Sequence, residues 1–170
     1  PAAAATVYFT TTTGSSYTYK SVDNTTSASD TYTIVSSNRD SSIGSRSYHV
    51  FTNSTDGSSE YYHVSGNSYF QFANLTDFTD PLELNYLQSD KAVGETWSQN
   101  ISIDAMGVPL TATLTYTVED KSGSLTVNGT SYTNVTRVKT DVSIAGIPPT
   151  AVMSNIKSYY VAKRGMIKRD

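Results

Sequence analysis

The sequence predicts an all-β fold, an antiparallel meander forming a β-sandwich or a strongly curved, partly closed barrel, with little or no helix. Three observations predict it. The first is the stretch from Trp97 to Val118, where Trp97, Ile101, Ile103 and Ala105 occupy odd positions, and Leu110, Ala112, Leu114, Tyr116 and Val118 even ones, on either side of Met106-Gly107. Residues directly opposite each other in an antiparallel hairpin share a face, so a loop of even length centred on Met106-Gly107 pairs Ile103 with Leu110, Ile101 with Ala112 and Trp97 with Tyr116. Ser98, Asn100, Ser102 and Asp104 then meet Thr111, Thr113, Thr115 and Thr117, leaving one apolar side for a core and one polar side for water. The second is composition: 13 Tyr hold the aromatic share at 11% although only 37% of the residues are hydrophobic. Ser and Thr together supply about three residues in ten, a usage suited to sheet surfaces and turns. The third is a series of turn signals, among them Asp56-Gly57, Ser65-Gly66-Asn67 and Asn128-Gly129, which cut the chain into short alternating runs.

The 170 residues suffice for one core and demand no second domain. Residues 1–13 read as a flexible leader, with Pro1-Ala-Ala-Ala-Ala-Thr6 resembling what remains after a targeting segment is removed, and residues 14–170 as a single all-β domain. In that domain Tyr17 to Val22 and Thr31 to Val35 form a hairpin, and Ser36 to Arg46 a polar loop. Ser47 to Phe51 and Tyr61 to Val64 flank Asp56-Gly57, and Tyr69 to Phe72 follows. The segment Asn74 to Asp90 is less regular, broken at Asp80-Pro81, with Leu82 to Leu87 as a short strand or the one helical turn. After the central ribbon, Ser122-Gly123 turns the chain into Leu125 to Val127. Asn128-Gly129 then turns it into a long strand from Tyr132 to Ile144, whose apolar positions change parity and so require a bulge between Tyr132 and Val138. Two final strands meet at Arg164-Gly165. Gly14, Gly66, Gly94 and Gly129 each stand three residues before an aromatic, Tyr17, Tyr69, Trp97 and Tyr132. This reads as a repeated way to open a strand, the Gly supplying a positive φ and the ring the first inward anchor. The likeness of the Gly14 and Gly94 copies suggests two similar halves.

Three pieces of the chain, Gly14 to Tyr19, Val93-Gly-Glu-Thr-Trp97 and Tyr159-Tyr-Val-Ala-Lys-Arg-Gly-Met-Ile-Lys168, together resemble a group of bacterial secreted proteins and envelope lipoproteins of uncharacterised function. In that group the ending runs Tyr-Tyr-Ala-Lys-Gly-x-Gly, usually after a stretch like Leu125 to Val135. This chain departs by carrying Val161 within the run and a single glycine, Gly165. The resemblance implies export to the periplasm, the outer membrane or the exterior and an antiparallel β fold, and brings no catalytic residues with it.

Net charge of -3 and a pI near 5.3 disfavour general nucleic-acid binding. No apolar run reaches the roughly 18 residues of a membrane span, so a membrane would be reached only through a lipid anchor ahead of Pro1. The absence of Cys removes disulfides and thiol chemistry. There is no Gly-x-Ser-x-Gly elbow and no phosphate-cradling loop, and no cofactor is implied. As metal ligands the sequence offers His49 and His63, in similar Tyr-His-Val runs on two arms of one hairpin, and the acids Asp77, Asp80 and Glu83 of the irregular segment. The histidines face each other if the loop is odd and centred on Asp56, and lie on opposite faces if it is even. Two imidazoles without a third ligand make a poor zinc site, and the acids match no calcium loop; solvated sheet and loop residues are the simpler reading. Two carboxylates of that loop acting on a glycoside would make an enzyme, the weakest alternative. Lys163, Arg164, Lys168 and Arg169 concentrate charge near the C-terminus, where an anionic surface or partner could be met.

The Tyr population is the most informative feature. In the adjacent pairs Tyr61-Tyr62 and Tyr159-Tyr160 one ring of each must point away from its neighbour's face. Together with Tyr69 these rings can stack on a glycan or line a groove for an apolar small molecule, although Tyr is also an ordinary sheet residue. The resulting expectation is a non-catalytic, exported β-domain that binds a ligand or an envelope protein. The rival expectation is a structural module of a cell-surface assembly.

Overall fold

The structure is a computed structural model that describes residues 7–23, 25–73, 82–152 and 154–170. Two antiparallel sheets, one strongly curled into a half-barrel, make up the fold. The first sheet is a meander of β1 (Ser16–Val22), β2 (Ser29–Ile43), β3 (Arg46–Asn53), β4 (Ser59–Ser65), β5 (Ser68–Ala73) and β6 (Leu82–Gln88). The second continues as β7 (Thr96–Ala105), β8 (Val108–Val127), β9 (Thr130–Ile144), β10 (Ile156–Val161) and β11 (Gly165–Arg169), with a 3-10 turn at Pro149–Ala151.

The central ribbon has the expected register: Trp97 opposes Tyr116, Ile101 opposes Ala112 and Ile103 opposes Leu110. Its apolar side joins a core shared by both sheets, in which Trp97 stacks on Tyr116 with ring centroids 5.2 Å apart. The long strand β9 carries its expected bulge at Asn134, which has a φ of 54° and lies between partners that shift register from Gly123 to Ser124.

Three expectations are corrected. The polar loop over Ser36 to Arg46 is strand, because a backbone ladder does not need apolar side chains. A bulge after Ser36 lets Asp40 to Ile43 pair with Arg46 to His49. Ser122-Gly123 is not a turn: β8 passes through it, absorbing extra residues as register shifts between Val118 and Ser124. The flexible leader is corrected from Val7 on, since Tyr8 and Phe9 are core residues, 5% and 6% exposed. Two buried aromatic rings make this segment a plug. Tyr8 N–H donates to the Tyr69 hydroxyl at 3.0 Å, the Tyr8 and Thr136 hydroxyls bond at 2.9 Å, and Lys163 N–H donates to the Val7 carbonyl at 2.7 Å. Phe9 lies over Gly165 so closely that a Cβ there would come within 2.8 Å of its ring.

The two sheets open in the same way. Gly14 N–H donates to the Ser36 carbonyl and Ser36 N–H to the Ser15 carbonyl; Gly94 N–H donates to the Val118 carbonyl and Val118 N–H to the Glu95 carbonyl. Of the four rings that follow a turn glycine, Tyr17, Tyr69 and Trp97 pack in or against the core, while Tyr132 does not.

Candidate functional site

Each sheet has two edges, and the sheets meet twice. At the first meeting, side chains of β7 bond to the backbone edge of β6. Trp97 Nε1 donates to the Asn85 carbonyl at 2.7 Å, Gln99 Oε1 accepts from Asn85 N–H at 3.1 Å, and Gln99 Nε2 donates to the Glu83 carbonyl. Lys121 on β8 adds bonds to the carbonyls of Ser89 and Lys91.

At the second meeting β1 and β11 flank an open groove of about 1190 Å³. Consecutive residues of both strands line it, which means that it is bounded by two strand edges. Among the described residues, Tyr17, Tyr19, Tyr32 and Tyr132 supply rings, and Lys20, Lys163, Arg164, Lys168 and Arg169 supply five of the chain's twelve cations, against the side-chain carboxylate of Asp170. Lys168 is paired with Asp170 at 2.6 Å. Among the described residues no salt bridge engages the other four. Arg164 lies over the Tyr132 ring at 5.9 Å and Lys168 over Tyr159 at 5.6 Å, so rings hold both cations at the surface.

Below the groove lies a smaller cavity of about 110 Å³ between the sheets, sharing Tyr19, Tyr32, Met166 and Arg169 with it. Glu60 faces this space and accepts from the Tyr62 hydroxyl at 2.6 Å. Burial pushes the Tyr19 and Tyr32 phenols up, and the negative charge of Glu60 adds to it, so both are neutral hydrogen-bond donors at physiological pH. The Arg169 guanidinium opposes this at Tyr32 and also donates to Ser158 Oγ at 3.3 Å.

The tyrosines expected to bind are not gathered in one place. Tyr62, Tyr69 and Tyr160 belong to or pack against the core, and Tyr61 leans on Phe72 on the opposite face of its sheet. Tyr159 lies on β10, beneath Lys168. The one-in, one-out rule for the adjacent pairs therefore fits Tyr61-Tyr62. The rings that line the groove are others. Tyr17 and Tyr132 were marked in the sequence by their glycines, but nothing local showed that β1 and the β8-β9 hairpin end would face the cationic C-terminus.

The metal candidates are also dispersed. His49 opposes Tyr62, one residue from the pairing that an odd loop centred on Asp56 would give and two from that of the Asp56-Gly57 loop, and this even pairing sends His49 and His63 to opposite faces. His63 stacks near Phe70 and Tyr48. Glu83 accepts from Arg46 and from the Tyr48 hydroxyl. Burial, and then this bond, push the Tyr48 phenol up to about 12. Asp77 and Asp80 lie outside the described residues, and among those described no three potential ligands cluster.

The ring of His49 instead joins a constellation invisible in the sequence. Its Nε2 shares a 2.7 Å hydrogen bond with Ser36 Oγ, and its Nδ1 lies 2.9 Å from Asp40 Oδ1. The atom order is that of a serine-hydrolase triad. Ser36, however, is 2% exposed, and its Oγ also lies 2.9 Å from the Thr11 carbonyl, where a nucleophile would need its substrate. The arrangement ties the N-terminal segment to the β2 bulge.

No family profile, no curated protein and no solved structure matches the chain.

Proposed function

We propose that the protein is a non-catalytic, exported binding domain of the cell envelope whose ligand lies in the groove between β1 and β11. The observation that carries this reading is the groove itself, in which, among the described residues, four tyrosines and five cations stand beside the acid Asp170 while the chain as a whole is negative. An anionic ligand suits that charge better than the neutral glycan or apolar molecule suggested by the tyrosines alone. Rings give stacking area and the cations give orientation and salt-sensitive attraction. The export component rests on the resemblance of Gly14 to Tyr19, Val93 to Trp97 and Tyr159 to Lys168 to envelope lipoproteins. The edges of β1 and β11, unpaired among the described residues, favour a second reading, a structural or assembly module of a cell-surface complex. The non-catalytic component is supported by the burial of Ser36 beneath Thr11.

The test is titration of the protein with two polyanions, polyglutamate and a sulfated oligosaccharide, by thermal shift and calorimetry at low and physiological salt. The expected result is saturable binding that weakens with salt and is lost in a Lys20→Ala/Lys163→Ala/Arg164→Ala variant. No binding of either polyanion at low salt would overturn the groove reading.

A further inference from the structure

We infer that the groove is a slot for one extended acidic segment of a partner protein, which adds as a β-strand to the free edge of β1 and lies across to β11. This deepens the reading of the groove as an anion-binding site and rests on it.

The backbone of β1 supports strand addition directly. Ser36 N–H donates to the Ser15 carbonyl at one end of the β1-β2 pair, and Asp23 N–H donates to the Ala28 carbonyl at the other. Hydrogen-bonded pairs alternate along an antiparallel ladder, so Tyr17, Tyr19 and Ser21 bond to β2. The N–H and C=O groups of Ser16, Thr18, Lys20 and Val22 then point outward along the groove. The β10-β11 pair ends on a double bond between Lys157 and Asp170, each N–H donating to the other's carbonyl at 2.9 and 2.8 Å. Arg169 is therefore the residue whose backbone faces away from β10. No strand pairs with either outer edge among the described residues. The outward row of β1 and the outward backbone of Arg169, facing one gap, form a template for an extended chain, with backbone bonds for affinity and alternate side chains for specificity.

Side-chain alternation assigns the chemistry of that chain. Tyr17 and Tyr19 point to the core side of β1, so Thr18 and Lys20 lie on the outer side. On β11, Arg169 and Met166 reach the inner cavity, and Lys168 stacks over Tyr159. A strand in the gap would lay apolar residues against Tyr19, Tyr32 and Met166 and acidic ones near Lys20 and Lys168. With seven residues in β1 and five in β11, the slot accommodates a comparably short segment.

The experiment uses the full chain and two probes: a capped peptide of about eight alternating Glu and Val residues, and the sulfated oligosaccharide. The peptide should bind and slow amide hydrogen exchange at Thr18 and Arg169. Thr18→Pro, which removes an outward N–H on an edge strand together with the Thr18–Thr33 hydroxyl bond, should weaken the peptide about tenfold and leave the oligosaccharide unchanged, while Thr18→Ala, which loses the same hydroxyl bond but keeps the N–H, binds both normally. N-methylation of alternate peptide residues tests the same bonds from the other side if the proline variant folds poorly. Peptide binding without new amide protection, or insensitive to Thr18→Pro and to N-methylation, would overturn the strand and leave the anionic groove standing. Binding of the oligosaccharide alone would do the same, and binding of neither would remove both readings. Concentration-dependent dimerisation that protects Thr18 without peptide would make a second copy the occupant and overturn the acidic partner.

Discussion

At one meeting of the two sheets β7 lies against β6, and at the other β1 faces β11 across a groove. β1 and β7 are the opening strands of their sheets and start alike, with a glycine, two further residues and a core aromatic, Tyr17 in one and Trp97 in the other. Two residues later they diverge. Gln99 turns its amide onto the backbone of β6, donating to Glu83 and accepting from Asn85, while Tyr19 at the matching place in β1 brings a ring and one hydroxyl that face the cavity and groove. An amide carries a donor and an acceptor spaced like those of a backbone, so it can substitute for a missing strand; a phenol cannot. Gln99, with Trp97 and Lys121 beside it, therefore seals one seam through side chains, and Tyr19 leaves the other available.

The largest expected contrast is between two aromatics that follow a turn glycine, Trp97 at the sealed seam and Tyr132 at the groove. Trp97→Ala removes a stacked core ring and an indole bond, and should cost about 3–5 kcal/mol in denaturant unfolding. Tyr132→Ala at the open seam should cost far less and act mainly on polyanion binding; equal losses would mean that the groove wall is structural. Gly165→Ala should cost about 2–3 kcal/mol, because φ is +70° and Phe9 occupies the space of a Cβ. Unchanged stability there would show that the Tyr8-Phe9 plug is not held as described. Gln99→Leu should cost about 2 kcal/mol and speed exchange of Asn85 N–H, since two backbone groups of β6 lose partners. Lys20→Ala should leave the denaturation curve in place. The smallest effect at ordinary pH is that of the buried phenols. Burial raises Tyr19, Tyr32, Tyr62 and Tyr86 above 10.0 in the folded chain. Their contribution is complete below about pH 10 and is lost as pH rises through the higher folded values. Ultraviolet titration should show these phenols ionising only with base-induced unfolding, after the exposed ones.

Much of the fold could be read along the chain. The register from Trp97 to Val118 follows from two parities and a two-residue turn, and the Asn134 bulge from a change of parity. The sequence misled where side chains and backbone part company. Ser36 to Arg46 lacks an apolar alternation yet pairs through its backbone, and Ser122-Gly123 has turn residues inside a continuous strand.

The site was less legible. The four C-terminal cations were visible as a cluster, but their neighbours Lys20, Tyr19 and Tyr132 come from segments tens of residues away. Ser36, Asp40 and His49 likewise meet only because a bulge shifts β2 against β3.

The alternation of the central ribbon, its two-residue turn and the aromatic supply of the core were properties of the amino-acid order alone, because side-chain direction in a strand has a period of two and needs no distant partner. Only the tertiary structure decided that the edge of β1 would stand opposite the edge of β11, with no strand between them among the described residues, and that the histidines would part. Which edge meets which depends on how both sheets curl around a shared core and on a single-residue shift of register, and no local pattern encodes either.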